Sequence, residues 1–141
     1  MNNIFQPIEP ATRLEITETD YTDGTIKLTA PLPPNQNDKG TAFAGSISSL
    51  LVLAGWGVLT RRLQAEGIEA NIMVTESQTR YRRPVRDQLV ATATLDDITP
   101  LLHQLETKQR GRMEVTTHLH SNHKCCASMT AQFAIFPKNP A

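Results

Sequence analysis

The stretch Gly40–Gly67, GTAFAGSISSLLVLAGWGVLTRRLQAEG, constrains this chain more than any other. It is the one long apolar run, and Thr41 to Thr60 carries no charge. Phe43, Ile47, Leu50, Leu51, Leu53, Trp56, Val58 and Leu59 fall on every side of a helix drawn through it. A helix apolar all round must be surrounded, by protein or by lipid. Its length suits either. Against lipid, Gly45, Gly55, Gly57, Ser46, Ser48 and Ser49 lower its hydropathy. The flanking segments read as half-buried strands, which need an apolar layer to lie on, and this helix is the candidate layer. A core helix is therefore expected, with no membrane span.

The strands follow from alternation. Leu14 and Ile16, then Ile26, Leu28 and Ala30, alternate with polar neighbours on either side of Thr22-Asp23-Gly24, which predicts a hairpin. Pro31, Pro33 and Pro34 end it, because proline has no N–H for a ladder. Asn35 to Gly40 is a polar loop leading into the helix, and Gly67 is its natural C-terminal cap. Ala70–Tyr81 and Leu89–Leu95 read as further strands. Thr99 as cap and Pro100 at the first position open a short helix that Gly111 ends. Met113–Leu119 and the strand after the Ser121–Lys124 turn complete the set. Cys125, Ala127, Met129, Ala131, Phe133 and Ile135 are expected to face inward. The order is β-β-α-β-β-(α)-β-β in one α+β domain covering residues 1–141. One sheet wrapped round one helix leaves an edge and a face open. Edge-to-edge pairing across a twofold axis remedies that, so a homodimer is expected, or a tetramer built from it.

Composition excludes several classes of partner. Lys+Arg and Asp+Glu are 14 each, so no net charge draws the chain to nucleic acid or an anionic membrane. Cys125 and Cys126 are adjacent and are the only cysteines, which leaves no disulfide framework. The N-terminus MNNIFQPIEP has neither the basic region nor the apolar run of a signal peptide. A reducing, cytoplasmic setting is expected.

With these elements in place the chain resembles a hotdog-fold protein, in which a curled antiparallel β-sheet wraps one long central α-helix. The stretch that carries the likeness is Asn37-Asp38-Lys39-Gly40-Thr41-Ala42-Phe43-Ala44-Gly45-Ser46. Hotdog thioesterases commonly show Asn, two residues, Gly, two residues, then His-Gly-Gly at the helix entrance. Asn37, Gly40 and Gly45 are in register with that pattern, whereas Phe43 stands at the histidine and Ala44 at the first glycine. The carboxylate that many relatives carry nine residues further on falls at Val52. GTAFAGS with Leu53-Ala54-Gly55-Trp56-Gly57 is more similar still to the putative thioesterase domain at the C-terminus of YiiD-type acetyltransferases. Tyr81-Arg82-Arg83-Pro84-Val85 resembles its Tyr-x-x-Pro-Val, and Lys108–Arg112 its basic, glycine-containing turn. The likeness runs from about Leu14 to Phe136, and the acetyltransferase part is not expected in a chain of this length. It implies hydrolysis of an acyl-CoA or acyl-carrier-protein thioester, with no cofactor. The alternatives are a non-catalytic acyl-CoA-binding hotdog and, ranked lowest because Phe43 replaces the histidine, a dehydratase or hydratase.

Thioester hydrolysis needs an oxyanion site, a base or nucleophile, and an acyl slot. Gly45 and Ser46 open the helix, where backbone N–H groups are unpaired and the dipole is positive. Small residues there also serve simple helix packing. Three base or nucleophile candidates stand out: Asp38, with Asn37 beside it to orient a water; Glu76; and Ser77. Glu76 shares parity with Ile72 and Val74 and, if no bulge intervenes, faces the buried side, where a carboxylate suits general-base work. Ser46, Ser48 and Ser49 can instead bond back to helix carbonyls. Gly40 and Phe43 flank the entrance, and Leu50, Leu51 and Leu53 suggest an apolar slot. Arg80, Arg82 and Arg83, with Arg110 and Arg112 near them, match the phosphates of CoA or simply decorate a solvated turn. His118, His120 and His123 with the two cysteines match no closed zinc spacing and read better as exposed strand histidines, so no metal is expected.

Overall fold

The apolar helix finds its surroundings in a six-stranded antiparallel sheet that curls around it. The computed structural model describes residues 2–138. In chain order the elements are α1 (Glu9–Arg13), β1 (Thr17–Thr22), β2 (Thr25–Ala30), a 3₁₀ turn (Pro33–Asn35), α2 (Ala44–Ala65), β3 (Ala70–Tyr81), β4 (Leu89–Thr94), α3 (Thr99–Lys108), β5 (Gly111–Ser121) and β6 (Lys124–Pro137). The strand order is β1-β2-β4-β5-β6-β3, so β1 and β3 are the two edges. This is the hotdog architecture that the sequence resembles.

The central helix is apolar on nearly all sides because nearly all sides are used. Leu50, Leu51, Ala54, Val58 and Leu59 are wholly buried under the sheet. α2 is the one described helix long and apolar enough to cross a membrane, and here its partner layer is protein. Its glycines set how closely the layers approach. A Cβ at Gly55 would sit 2.9 Å from Phe133 Cζ, and one at Gly57 would sit 2.7 Å from Phe5 Cζ. Two aromatic rings thus reach the helix backbone at positions where any side chain would hold them off. Leu50 and Leu51, expected to line an acyl slot, lie instead under the sheet; Leu53 stays half-buried beside Val52.

Local departures from the expected strands have physical causes. Leu14 is not in a strand: Pro10 starts a short helix, Leu14 closes it, and Glu15 turns the chain with φ at 57°. Thr99 is the first residue of α3 and not its cap, a position that Ile98 takes; Asp97, one residue earlier, accepts the Thr99 hydroxyl at 2.7 Å and its N–H at 2.9 Å. Those donors hold the Asp97 carboxyl below its usual value. Gly111 opens β5 and does not end α3, because a Cβ there would lie 2.6 Å from Leu101 Cδ1. Gln109, with φ at 56°, makes the turn. At the other hairpin the register slips between Leu119 and His120, so the sequence step from Cys125 to Ala127 carries an extra residue. Cys126 is therefore the buried cysteine and Cys125 only half-buried, the reverse of strict alternation.

One charged residue sits on the buried side of α2. Arg61 is 6% exposed. It donates to both carboxylate oxygens of Glu18 on β1, at 2.7 and 3.0 Å, and to the side chain of Asn2 at 2.7 Å. A buried guanidinium is tolerated only with this full set of acceptors. Glu18→Ala should cost about 3–5 kcal/mol by stranding the Arg61 charge, read as a fall in melting temperature. The double variant Arg61→Met/Glu18→Leu should recover most of that loss.

Candidate active site

The start of α2 is held from both sides by backbone. Phe43 N–H donates to the Asn35 carbonyl at 2.7 Å, and Ala42 N–H to the Val85 carbonyl at 2.8 Å. Val85, the last residue of the Tyr-x-x-Pro-Val segment, is fully buried and thus plugs the loop to the helix entrance. Tyr81, the first residue of that segment, donates its hydroxyl to the Ala44 carbonyl at 3.1 Å. Strand β3 and the helix entrance are thereby locked together at the two ends of one five-residue motif.

The helix cap has no polar side chain, as is true of every described helix in the chain. Phe43 occupies the capping position with an extended backbone and, being a hydrocarbon, supplies no oxygen to the first turn. The Phe43 carbonyl accepts the N–H groups of Ser46 and Ile47 at 3.0 and 3.1 Å. Among the described residues, the Ala44 and Gly45 N–H groups have no acceptor. The Phe43 ring, 56% exposed, folds over Gly45, where a Cβ would meet its Cε2 at 2.4 Å. Two unpaired donors at the positive end of a helix dipole, flanked by a tyrosine hydroxyl, suit a developing oxyanion.

The anticipated residues distribute unevenly around this point. Asn37 is fully engaged in closing its own loop. Its Oδ1 accepts from Lys39 N at 2.8 Å and Thr41 N at 3.1 Å, and its Nδ2 donates to Thr41 Oγ1 at 2.8 Å. Gly40 gives that loop its tight turn, with φ at 79°. Asp38 is at the exposed loop tip, paired with Lys39 Nζ at 3.0 Å. Ser46 is buried, while Ser48 and Ser49 both donate back to the Gly45 carbonyl, at 3.0 and 2.8 Å. Glu76 is not on the buried face. The register shifts between Val74 and Glu76, so Glu76 pairs with Gln132 on the outer surface and is exposed. The same bulge turns Ser77, which stays exposed, to the helix side opposite buried Ala131, followed by half-buried Thr79 opposite Met129 and exposed Tyr81 opposite Ala127.

The cationic residues gather on the outer face. Arg82 and Arg83 donate their backbone N–H groups to the Cys126 carbonyl at 2.8 and 3.1 Å. Their side chains line a cleft of ≈ 670 Å³ together with His118, Lys124, Cys125 and Ser128. Arg80 lies opposite Ser128 on this face. Arg112 pairs with Ala134 at the far end of β5, so neither it nor Arg110 joins the cluster. His118 and His120 share the outer face, with ring centroids 6.4 Å apart.

Tyr81 and Ala44 are the site residues that sequence reasoning passed over. A tyrosine closing a strand beside three arginines was the available signal. Replacing Phe43 by aspartate should supply the missing cap, stabilising the chain by about 1 kcal/mol and raising its melting temperature by a few degrees. The same carboxylate would occupy the free donors, so any activity that uses them should fall. Asn37→Ala should destabilise by about 1–3 kcal/mol through loss of the loop-closing bonds.

Comparison with known proteins agrees with the fold. The family model described as "Putative thioesterase (yiiD_Cterm)" matches residues 3–137. A putative thioesterase from Shewanella oneidensis is 26% identical, covering 92% of this chain and 90% of that one, with a TM-score of 0.84. A protein of unknown function from Chlorobaculum tepidum TLS is 28% identical over 94% of this chain and 89% of that one, with a TM-score of 0.90. A thioesterase from Haemophilus influenzae, 16% identical over 91% and 82% with a TM-score of 0.73, shares the fold. A match over nearly the whole chain, on a hotdog architecture, places this protein in the YiiD C-terminal putative thioesterase family.

Proposed function

We propose that this protein hydrolyses acyl-CoA thioesters at the entrance of α2. The observation that carries the reading is the pair of unpaired N–H groups at Ala44 and Gly45, beside the Tyr81 hydroxyl, in a member of a thioesterase family. Attack on a thioester carbonyl moves charge onto its oxygen, and these donors stabilise that charge where it develops. The leaving group is a thiolate, far less basic than an alkoxide, so the site needs little help from a general acid. It needs a base for the attacking water. Asp38, on the loop that leads into α2, is the carboxylate proposed for that task; Glu76 is on the outer surface, and Ser77 lies on the groove side of β3. The cleft of Arg82, Arg83 and Lys124 lies at the same end of β3 and suits the phosphates of CoA.

The assembly proposed with this function is a homodimer. β3 is a 12-residue edge strand, and Met73, Val74 and Tyr81 on it are exposed apolar or aromatic residues. A long edge strand with exposed apolar residues among its polar ones offers unpaired backbone to another strand, and a second copy of itself is self-complementary. The cytoplasm is the proposed setting, where Cys125 and Cys126 stay as thiols.

A second reading has one observation in its favour. On the groove faces of α2 and β3, the described residues carry hydroxyls and apolar groups but no carboxylate and no imidazole. That composition favours an acyl-CoA-binding protein without turnover.

Free-thiol release from an acyl-CoA panel, short to long and aromatic, separates the two. Hydrolysis by the wild type should fall at least about a hundredfold in Asp38→Asn and stay within about twofold in Glu76→Gln, whose carboxylate is on the outer surface, with folding intact. Tight binding without release of thiol would select the binding protein instead. Sedimentation should give about twice the 15.6 kDa chain mass, and Val74→Arg should return the protein to that of one chain.

A further inference from the structure

The groove between α2 and β3 has two ends, and only one of them holds the proposed site. At the site end the Tyr81 hydroxyl meets the Ala44 carbonyl at 3.1 Å. From there the two elements run side by side. The helix presents a half-buried stripe of Gly45, Ser49, Val52, Trp56 and Thr60, spaced as one helical face. The strand presents Tyr81, Thr79, Ser77 and Val74, of which Val74 is 45% exposed. The polar half of this lining lies near the site, and the apolar half lies away from it.

Beside the far end, reached through Trp56 on the helix and Ile72 on the strand, is a cavity of ≈ 380 Å³ whose walls combine Ile4, Ile8, Leu63 and Ile68 with a polar rim that includes Gln64, Glu69 and Lys138. The N-terminal segment Asn2–Ile8 closes this end. Its Phe5 ring packs edge-on against Trp56, with centroids 5.5 Å apart, over the space that Gly57 leaves open. Its Asn2 is pinned by Arg61, which is itself fixed by Glu18. The charged residue on the buried side of the helix thus anchors the segment that stops the groove.

We infer that this cavity receives the end of a saturated acyl chain, and that the Asn2–Ile8 segment sets the longest chain accepted. The inference rests on the proposed acyl-CoA reading and gives it a substrate class. From Gly45 to Trp56 the helix rises about 16 Å, at ~1.5 Å per residue. An extended chain advances about 1.2 Å per bond, so a carbonyl at Gly45 places the terminal methyl of about a 12- to 14-carbon chain at Trp56.

Trp56 is the single tryptophan, so its fluorescence reports arrival of the chain end directly. S-alkyl-CoA thioethers of 4 to 16 carbons are not hydrolysed and serve as probes. Their affinity should rise up to about fourfold per methylene until the cavity is full, then level off. Trp56 emission should respond to chains of about twelve carbons or more and not to butyl or hexyl, because only the longer chains reach it. Ile68→Phe, which fills the cavity, should lower the dodecyl-to-hexyl affinity ratio about tenfold. Thioesters hydrolysed with no length-dependent response at Trp56 would overturn this inference and leave the thioesterase reading standing. No thioether bound and no thioester hydrolysed would overturn the thioesterase reading and this inference with it. A Trp56 response without turnover would keep the acyl cavity and select the binding protein.

Discussion

The structure depends on one constraint: a 22-residue helix with almost no polar face must be covered on every side. Six strands curl around it because a flat sheet could cover only one of its faces. The closeness of that cover is set where the helix has no side chains. Gly55 and Gly57 admit Phe133 and Phe5 to distances that a single Cβ would forbid. Loss of either space would push a ring outward and open the core along its length. Arg61 looks like a violation of this logic and is better seen as its consequence. One guanidinium with four acceptors ties the N-terminal segment and the edge strand β1 to the helix where the sheet does not reach.

Covering the helix also creates the site. The sheet ends at β3, which runs along the helix without closing over it, and the gap between them is the groove. At one end, Tyr81 and Val85 clamp the chain just before and just after the capping position. The cap itself is left without an oxygen, which costs stability that a serine or aspartate would have supplied. The other helices also start without a side-chain cap, so what sets this entrance apart is the clamp by Tyr81 and Val85.

Much of the fold was legible because it rests on periodicity and on turn chemistry. β3 matches its expected bounds, Ala70–Tyr81, and the helix differs from Gly40–Gly67 by its flanking loop and cap residues. Asp23-Gly24 and Asn122-His123 make the two tight hairpins, each with positive φ at both positions. The site was less legible, and the reason is the bulge between Val74 and Glu76. One extra residue reverses the parity of everything beyond it. It moves Glu76 to the outer surface and brings Ser77, Thr79 and Tyr81 to the groove. The same physics exchanged Cys125 and Cys126 in β6. Nothing in the local composition of either strand announces a bulge. The Arg61–Glu18 pair was equally hidden, since its partners lie 43 residues apart in sequence. Arg61 does, however, lie one helical turn from Val58 and two from Ala54 on the buried face, and that register was the readable clue.

The central claim is that a thioester carbonyl sits at the uncapped start of α2. A crystal structure with a non-hydrolysable acyl-CoA analogue, a ketone in place of the thioester, tests it most directly. The account predicts the ketone oxygen within about 2.7–3.2 Å of the Ala44 and Gly45 nitrogens, with the alkyl chain running between Val52 and Val74 toward Trp56. A carbonyl placed elsewhere, with those two N–H groups still unpaired, would contradict it.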